Sequence, residues 1–287
     1  LELVKAFPGV EEVHPILKPY KQASREFHPE DTVIKVDNVA IGGPEVIVMA
    51  GPCAIESEKQ IIEIAHLVKE RGGHILRGGA FKPRTSPYAF QGLGEKGLQY
   101  LKKAKKETGL VTISEVMDTA EVALVAKYVD ILQIGTRNMQ NFKLLKAVGK
   151  TRKPVLLKRG MSSYFDEFLM SAEYIMSEGN QNVILCERGI RTFVEYTRNT
   201  LDLNIIPVLK ATTHLPVVVD ASHGTGIRKI VRPMSRAAVA AGADGIVIET
   251  HTHPEKSVSD AAQTVDLDEF GRIVVESKAI ARVIGRY

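Results

Sequence analysis

Cysteine occurs only twice in 287 residues, too rarely for a disulfide framework, so a reducing cytoplasm is the expected setting. No apolar stretch approaches the roughly 18 residues needed to cross a bilayer. The N-terminus begins without Met and carries no secretory pattern. There is no arginine-rich tail and no interleaving of basic with aromatic residues. The net charge of +4 is dispersed, which argues against nucleic acid as a partner. A chain of this length that is 44% hydrophobic and 25% charged can bury one large core, the composition of a single-core enzyme.

What the chain does have is a recurring apolar run. There are eight: VIVMA (46–50), HILRG (74–78), LVTIS (110–114), DILQIG (130–135), PVLLK (154–158), NVILC (182–186), PVVVD (216–220) and DGIVIE (244–249). Their starts lie roughly 20 to 35 residues apart, the length of one strand plus one crossover helix. Between them lie amphipathic stretches. In 57–72 the residues Ile61, Ile62, Ile64, Ala65, Leu67 and Val68 largely share one side. In 162–179, Ser162 or Ser163 is the expected N-cap and Gly179 the expected stop. Val/Ile/Leu density without strict alternation suits strands covered by helices. The pattern predicts an α/β protein, a (β/α)8 TIM barrel. A doubly wound open sheet is disfavoured, because it gathers ligands at one switch point, whereas here chemistry-bearing residues end every run.

The first 31 residues differ. They contain prolines, mixed charge and no barrel-like run, and are expected to be a linker, the remnant of a truncated regulatory domain, with the catalytic barrel at 32–287. Residues 32–43 are expected to form a β-hairpin about Asp37-Asn38 that closes the N-terminal end of the barrel.

At or just past the run ends stand Cys53, Arg77 with Lys82, Glu115, Arg137, Lys158, Arg188, His223 and Glu249. Arg77, Lys82, Arg84, Arg137, Lys158 and Arg188 are six cations that a barrel would gather at one mouth. Few acids beyond Glu115, Glu249 and Asp260 are in view to neutralise them, so a substrate or two with several negative charges is implied. Gly78 and Gly79 are expected to let the backbone approach such a ligand. Cys53, His223, Glu249 and Asp260 have the chemistry to hold one divalent transition ion of the Mn, Fe, Co or Zn class. Cys186 reads as a small buried hydrophobe. His251 and His253 read as solvated loop residues, and His66 and His74 as structural.

Several long motifs occur in fixed order: GPCAIES (51–57), LRGGAFKPRTSPYAFQGLG (76–94), IGTRNMQNF (134–142), LLKRG (156–160), LCERGIRTF (185–193), DASHGTG (220–226) and the pair Glu249/Asp260. From about residue 15 onward the chain closely resembles the 3-deoxy-D-arabino-heptulosonate 7-phosphate (DAHP) synthase family, type I beta branch. The resemblance implies a (β/α)8 barrel that condenses phosphoenolpyruvate with D-erythrose 4-phosphate and water, giving DAHP and phosphate, the first step toward chorismate. It implies that Cys53, His223, Glu249 and Asp260 hold the metal. Arg77, Lys82, Gly135, Thr136, Arg137, Lys158 and Arg188 would surround phosphoenolpyruvate, with Glu115 near its reacting end, while Arg84 and Thr85 take the aldose phosphate. At Thr136, where many members have Ala, only the backbone is expected to matter. Lys82 would protonate the forming alkoxide; Glu115 and His223 would manage the attacking water. A homotetramer and, for a truncated core, loss of feedback inhibition by tyrosine or phenylalanine are also implied.

A near alternative is 3-deoxy-D-manno-octulosonate 8-phosphate synthase, which takes arabinose 5-phosphate. Its loop resembles Lys-Ala-Asn-Arg-Ser-Ser, whereas here Lys82-Pro83-Arg84-Thr85-Ser86 is one residue shorter between Lys and Arg, which fits a four-carbon aldose. A remoter alternative is a non-catalytic metabolite-binding barrel, against which the intact metal and cation sets argue.

Overall fold

The structure is a computed structural model that describes residues 2–13, 18–84 and 86–287. After a single helical turn, α1 (Glu2–Lys5), comes the hairpin β1 (Ile34–Val36) and β2 (Val39–Ile41). The eight barrel strands follow: β3 (Ile47–Gly51), β4 (Ile75–Arg77), β5 (Val111–Glu115), β6 (Ile131–Ile134), β7 (Val155–Lys158), β8 (Val183–Glu187), β9 (Val217–Asp220) and β10 (Gly245–Glu249). They alternate with α2 (Glu58–Glu70), α3 (Glu95–Thr108), α4 (Val122–Tyr128), α5 (Phe142–Gly149), α6 (Phe165–Met176), α7 (Ile205–Thr212), α8 (Ala221–Thr225), α9 (Arg228–Ala240) and α10 (Leu267–Val283). The strands close into a parallel barrel in sequence order, β10 pairing with β3.

The eight sequence runs fall on the eight barrel strands because both faces of each strand are apolar. One face packs on the helices, through residues such as Val48, Leu76, Leu132, Val155 and Val219. The other fills the barrel, through Ile47 and Met49, Ile75, Val111 and Ile113, Ile131, Leu156, Ile184 and Cys186, Val218 and Val247. Cys186 is thus the small interior hydrophobe the sequence indicated. Side chains alternate with a period of two along a strand. The next inward position beyond each apolar layer is therefore fixed, and it reads Arg77, Glu115, Gln133, Lys158, Arg188, Asp220 and Glu249 around seven strands. On β3 the slot is Gly51, where a Cβ would lie 2.0 Å from the Arg77 carbonyl oxygen. The mouth is one polar layer seated on an apolar plug, at the C-terminal end where barrel enzymes place their chemistry.

The hairpin forms as expected, turning through Asp37 at a φ of +49°. Ile34, Val39 and Ile41 join the interior cluster and close the opposite end of the barrel. The segment before it packs on the barrel: Tyr20 and Ala23 are buried, and the amides of Gln22 and Ala23 donate to the Glu173 carboxylate at 3.0 Å. One boundary differs from the sequence reading. Helix α6 starts at Phe165 with Tyr164 as its cap, because Glu167 reaches back to accept from the Tyr164 amide at 2.7 Å, while the Ser163 hydroxyl donates to Gly160 instead. No helix among the described residues is long and apolar enough to cross a membrane.

Candidate active site

The loops that follow the strands bring the expected cations to one pocket. Arg77, Lys82, Arg84, Arg137, Lys158 and Arg188 all line it, together with Glu115, Gly135, Thr136, His223 and Asp260. Thr85 lies outside the described residues. Two pairs neutralise part of this charge. Arg77 Nη1 donates to Glu249 Oε1 at 2.7 Å, and Lys158 Nζ to Asp220 Oδ2 at 2.5 Å, all four side chains being buried. Among the described residues Arg84, Arg137 and Arg188 pair with no carboxylate: Arg84 reaches only the carbonyls of Phe90 and Val258, and Arg188 that of Gly189. Burial lowers the Arg188 pKa from its ordinary value, and neighbouring Arg198 adds to the effect. Two donors facing no partner, Arg77 Nε and Thr136 Oγ1, are shielded from water. A cluster of like charges with unspent donors is a site for a multiply charged anion.

Beside it, one ligand atom from each of Cys53, His223, Glu249 and Asp260 lies within 4.8 Å of the others. Cys53 follows β3, Glu249 closes β10, His223 sits in the short helix after β9, and Asp260 belongs to the loop after β10. β9 and β10 are consecutive paired strands, and closure of the barrel brings β3 beside β10. Asp220 accepts from His223 Nδ1 at 2.7 Å and caps α8 through the His223 amide at 2.9 Å. That bond leaves Nε2 facing Glu249 Oε1 at 3.3 Å and Asp260 Oδ2 at 3.7 Å. An imidazole lone pair, two carboxylates and a sulfur turned toward one point suit a divalent cation. Burial opposes charge on both carboxyls, yet His223 and nearby cations outweigh it, holding Glu249 below its ordinary value and Asp260 down to about 2. Burial pushes the Cys53 thiol up to about 12, so it stays protonated until a cation arrives and favours the thiolate. Lys82 Nζ lies 3.1 Å from that sulfur and 3.0 Å from the Cys53 carbonyl oxygen.

Several sequence expectations change. The mouth holds one more acid than expected, Asp220, the bridge between Lys158 and His223. Gly78 and Gly79 also serve loop packing, beside the expected approach to a ligand: a Cβ on Gly78 would meet Ile55 at 2.9 Å, and one on Gly79 would meet Lys82 Cδ at 2.6 Å and the Cys53 carbonyl at 2.7 Å. Gly135 accommodates Glu115, whose Oε1 would lie 2.0 Å from an added Cβ. Thr136 contributes a sequestered hydroxyl as well as backbone. His251 is buried, its Nδ1 accepting from the His253 amide at 2.8 Å, because the loop after β10 folds over it. His253 is exposed, and neither joins the metal-capable cluster. Gln133 and Arg198 also line the pocket, and Gln133 Nε2 donates to Glu115 Oε2 at 3.2 Å. Continuing the inward phase of β6 and β9 by two residues would have found Gln133 and Asp220. Arg198, in an irregular loop, carries no such signal.

Fold and pocket together define a (β/α)8 barrel whose mouth sets a four-residue group that could hold a metal ion beside a polycationic pocket. Sequence comparison narrows the class: residues 28–283 match the DAHP synthetase I family, and the chain belongs to it. A phospho-2-dehydro-3-deoxyheptonate aldolase of Thermotoga maritima is 52% identical over 276 residues, covering 96% of this chain and 82% of that protein. A 2-dehydro-3-deoxyphosphooctonate aldolase of Syntrophotalea carbinolica is 33% identical over 270 residues, covering 88% of this chain and 96% of that protein. The crystal structure of a T. maritima DAHP synthase superposes with a TM-score of 0.92 at 50% identity, covering 99% of this chain and 84% of that one. A truncated form of the T. maritima enzyme gives 0.87 at 49% identity, covering 92% and 97%.

Proposed function

We propose that this chain condenses phosphoenolpyruvate with D-erythrose 4-phosphate and water to give DAHP and inorganic phosphate. The observation that carries the reading is the meeting, in one pocket, of three arginines without carboxylate partners and a four-donor cluster fit for a divalent ion. The gap between 52% and 33% identity favours erythrose 4-phosphate over the arabinose 5-phosphate reading.

Arg137, Lys158 and Arg188 hold the phosphate of phosphoenolpyruvate, with Thr136 Oγ1 as a further donor; Arg77 and Lys82 hold its carboxylate end. Arg84, with Thr85, takes the aldose phosphate. Cys53, His223, Glu249 and Asp260 hold one divalent ion of the Mn, Fe, Co or Zn class, which when bound supplies Lewis acidity and orientation for the aldehyde. C3 of phosphoenolpyruvate attacks the aldehyde carbon, and Lys82, held at the Cys53 sulfur, delivers a proton to the new alkoxide. Positive character at C2 is met by water, whose proton Glu115 accepts, with His223 close by. The phosphohemiketal then collapses: its C2 hydroxyl becomes the ketone carbonyl as the C2–O bond to phosphate breaks, and the hydroxyl proton leaves with the phosphate. Fixed cations around both anionic groups need no reorganisation as charge moves, the main electrostatic benefit of such a site.

A cytoplasmic homotetramer is part of the same proposal. Phosphate release with phosphoenolpyruvate and each aldose phosphate, before and after EDTA, tests the reading. Turnover with erythrose 4-phosphate that EDTA abolishes and Mn²⁺ restores is expected. Preference for arabinose 5-phosphate, or no release from metal-loaded protein, would refute it.

A further inference from the structure

Each carboxylate in the metal-capable cluster divides its two oxygens. Glu249 turns Oε1 toward His223 Nε2 at 3.3 Å, where it also accepts from Arg77 Nη1 at 2.7 Å, while its Oε2 accepts from Gln263 Nε2 at 2.7 Å. Asp260 turns Oδ2 toward Cys53 Sγ at 3.2 Å, while its Oδ1 accepts from Arg198 Nη1 at 3.2 Å. The two outward oxygens are joined, because the same Arg198 Nη1 donates to Gln263 Oε1 at 3.1 Å. A guanidinium only donates, so Arg198 decides which end of the Gln263 amide is oxygen and aims its NH₂ at Glu249. Gln263 is buried at 2% exposure, out of reach of bulk water. Asp260 has a φ of +53°, a backbone conformation that costs a non-glycine residue energy and relies on surrounding contacts to persist. Arg198 arrives from the loop between β8 and α7, which contributes no ligand to the cluster.

We propose that Arg198 and Gln263 are positioning residues for metal binding, one hydrogen-bonded bridge that aims the inner oxygens of Glu249 and Asp260 at the ion. The proposal rests on the assignment of the cluster as a metal site and deepens it. Charge alone pulls the other way. A guanidinium beside a divalent cation repels it, so deleting Arg198 would tighten binding if electrostatics dominated. Aiming predicts weaker binding, which makes the sign diagnostic.

The test is Mn²⁺ affinity, measured by competition with a chelating dye on metal-stripped protein, with thermal unfolding confirming that each variant is folded. Wild type is expected to bind one ion and Cys53→Ala to lose it; no binding by wild type, or unchanged binding by Cys53→Ala, overturns the metal assignment itself. With that control in place, Gln263→Met and Arg198→Met should each weaken Mn²⁺ binding about 10- to 100-fold, as loss of a ligand's hydrogen-bond partner does elsewhere. The double variant should bind no worse than the weaker single, because both act through one bridge. Unchanged or tighter binding in either single variant, or additive losses in the double, overturns the bridge while leaving the metal site standing. Gln263→Met removes no charge and decides the matter if the arginine variant does not fold.

Discussion

Asp220 is the residue on which both halves of the site lean, and Asp220→Asn tests how strongly. Its carboxylate is fully buried and accepts from Lys158 Nζ at 2.5 Å and His223 Nδ1 at 2.7 Å. Burial would push its pKa up, but His223 and Lys158 hold it well below the ordinary carboxylate range. Asparagine keeps the shape and removes the charge, leaving the Lys158 ammonium, 4% exposed, with no counter-charge. Breaking a buried pair from one side costs about 3 kcal/mol or more. In a chain of this size each kcal/mol moves the melting point by roughly 2 °C, so a fall of about 6 °C is expected by calorimetry. Inorganic phosphate or phosphoenolpyruvate supplies the missing anion, so either should restore more melting temperature to the variant than it adds to wild type. The amide also stops enforcing the proton on His223 Nδ1, so Mn²⁺ affinity should drop about 10-fold or more. A variant that melts with wild type and binds Mn²⁺ equally would refute the reasoning.

Gly135→Ala separates activity from stability. Its Cβ would sit 2.0 Å from Glu115 Oε1, the free end of a flexible side chain, so the carboxylate can swing away at little cost to the fold. The expected result is a near-wild-type melting temperature with kcat reduced about 100-fold, the scale of a lost proton-transfer group; unchanged kcat would remove Glu115 from the reaction. Glu187→Ala has the opposite signature. Glu187 is fully buried and accepts from Arg159 Nη1 at 3.0 Å and the Gly189 amide at 2.6 Å, so denaturant unfolding should show a loss of about 3 kcal/mol. Equal unfolding free energies would show the network to be idle. Burial lowers the pKa of both His74 and His214 from the ordinary 6.5, so the unfolded chain takes up protons first. Their contribution is complete above about 6.5 and declines as pH falls below it. Melting temperature should therefore drop between pH 7.5 and 5.5, and a flat profile would contradict the sign.

The eight strands were legible because each is apolar on both faces, a pattern only a helix-covered sheet accommodates. The polar layer at the mouth was legible in part. Arg77, Glu115, Lys158, Arg188 and Glu249 stand out as charges at the ends of apolar runs, whereas Gln133 is uncharged and Asp220 was passed over for the histidine three residues on. Both share the two-residue phase of the interior layer, so strand periodicity contained them. The four metal-capable residues are spread from 53 to 260 with no local spacing to tie them together; ligand chemistry near the ends of three runs suggested the set, the family resemblance implied the same four, and the barrel explains how they meet. Arg198 and Gln263 were not legible. They lie in loops without periodicity, and their importance comes from which oxygen of a carboxylate each one holds, a property only three-dimensional placement creates. His251 misled for the same reason, since His-Thr-His-Pro looks like a wet loop until Val265 pairs with its backbone and covers it.

Anomalous diffraction from crystals grown with Mn²⁺ and phosphoenolpyruvate decides whether one pocket seats the ion and the substrate together, as proposed. A single Mn²⁺ peak within about 2.5 Å of donor atoms of Cys53, His223, Glu249 and Asp260 is predicted, with the phosphate of phosphoenolpyruvate against Arg137, Lys158 and Arg188. An ion bound elsewhere, or phosphoenolpyruvate lying outside this cation ring, would contradict it.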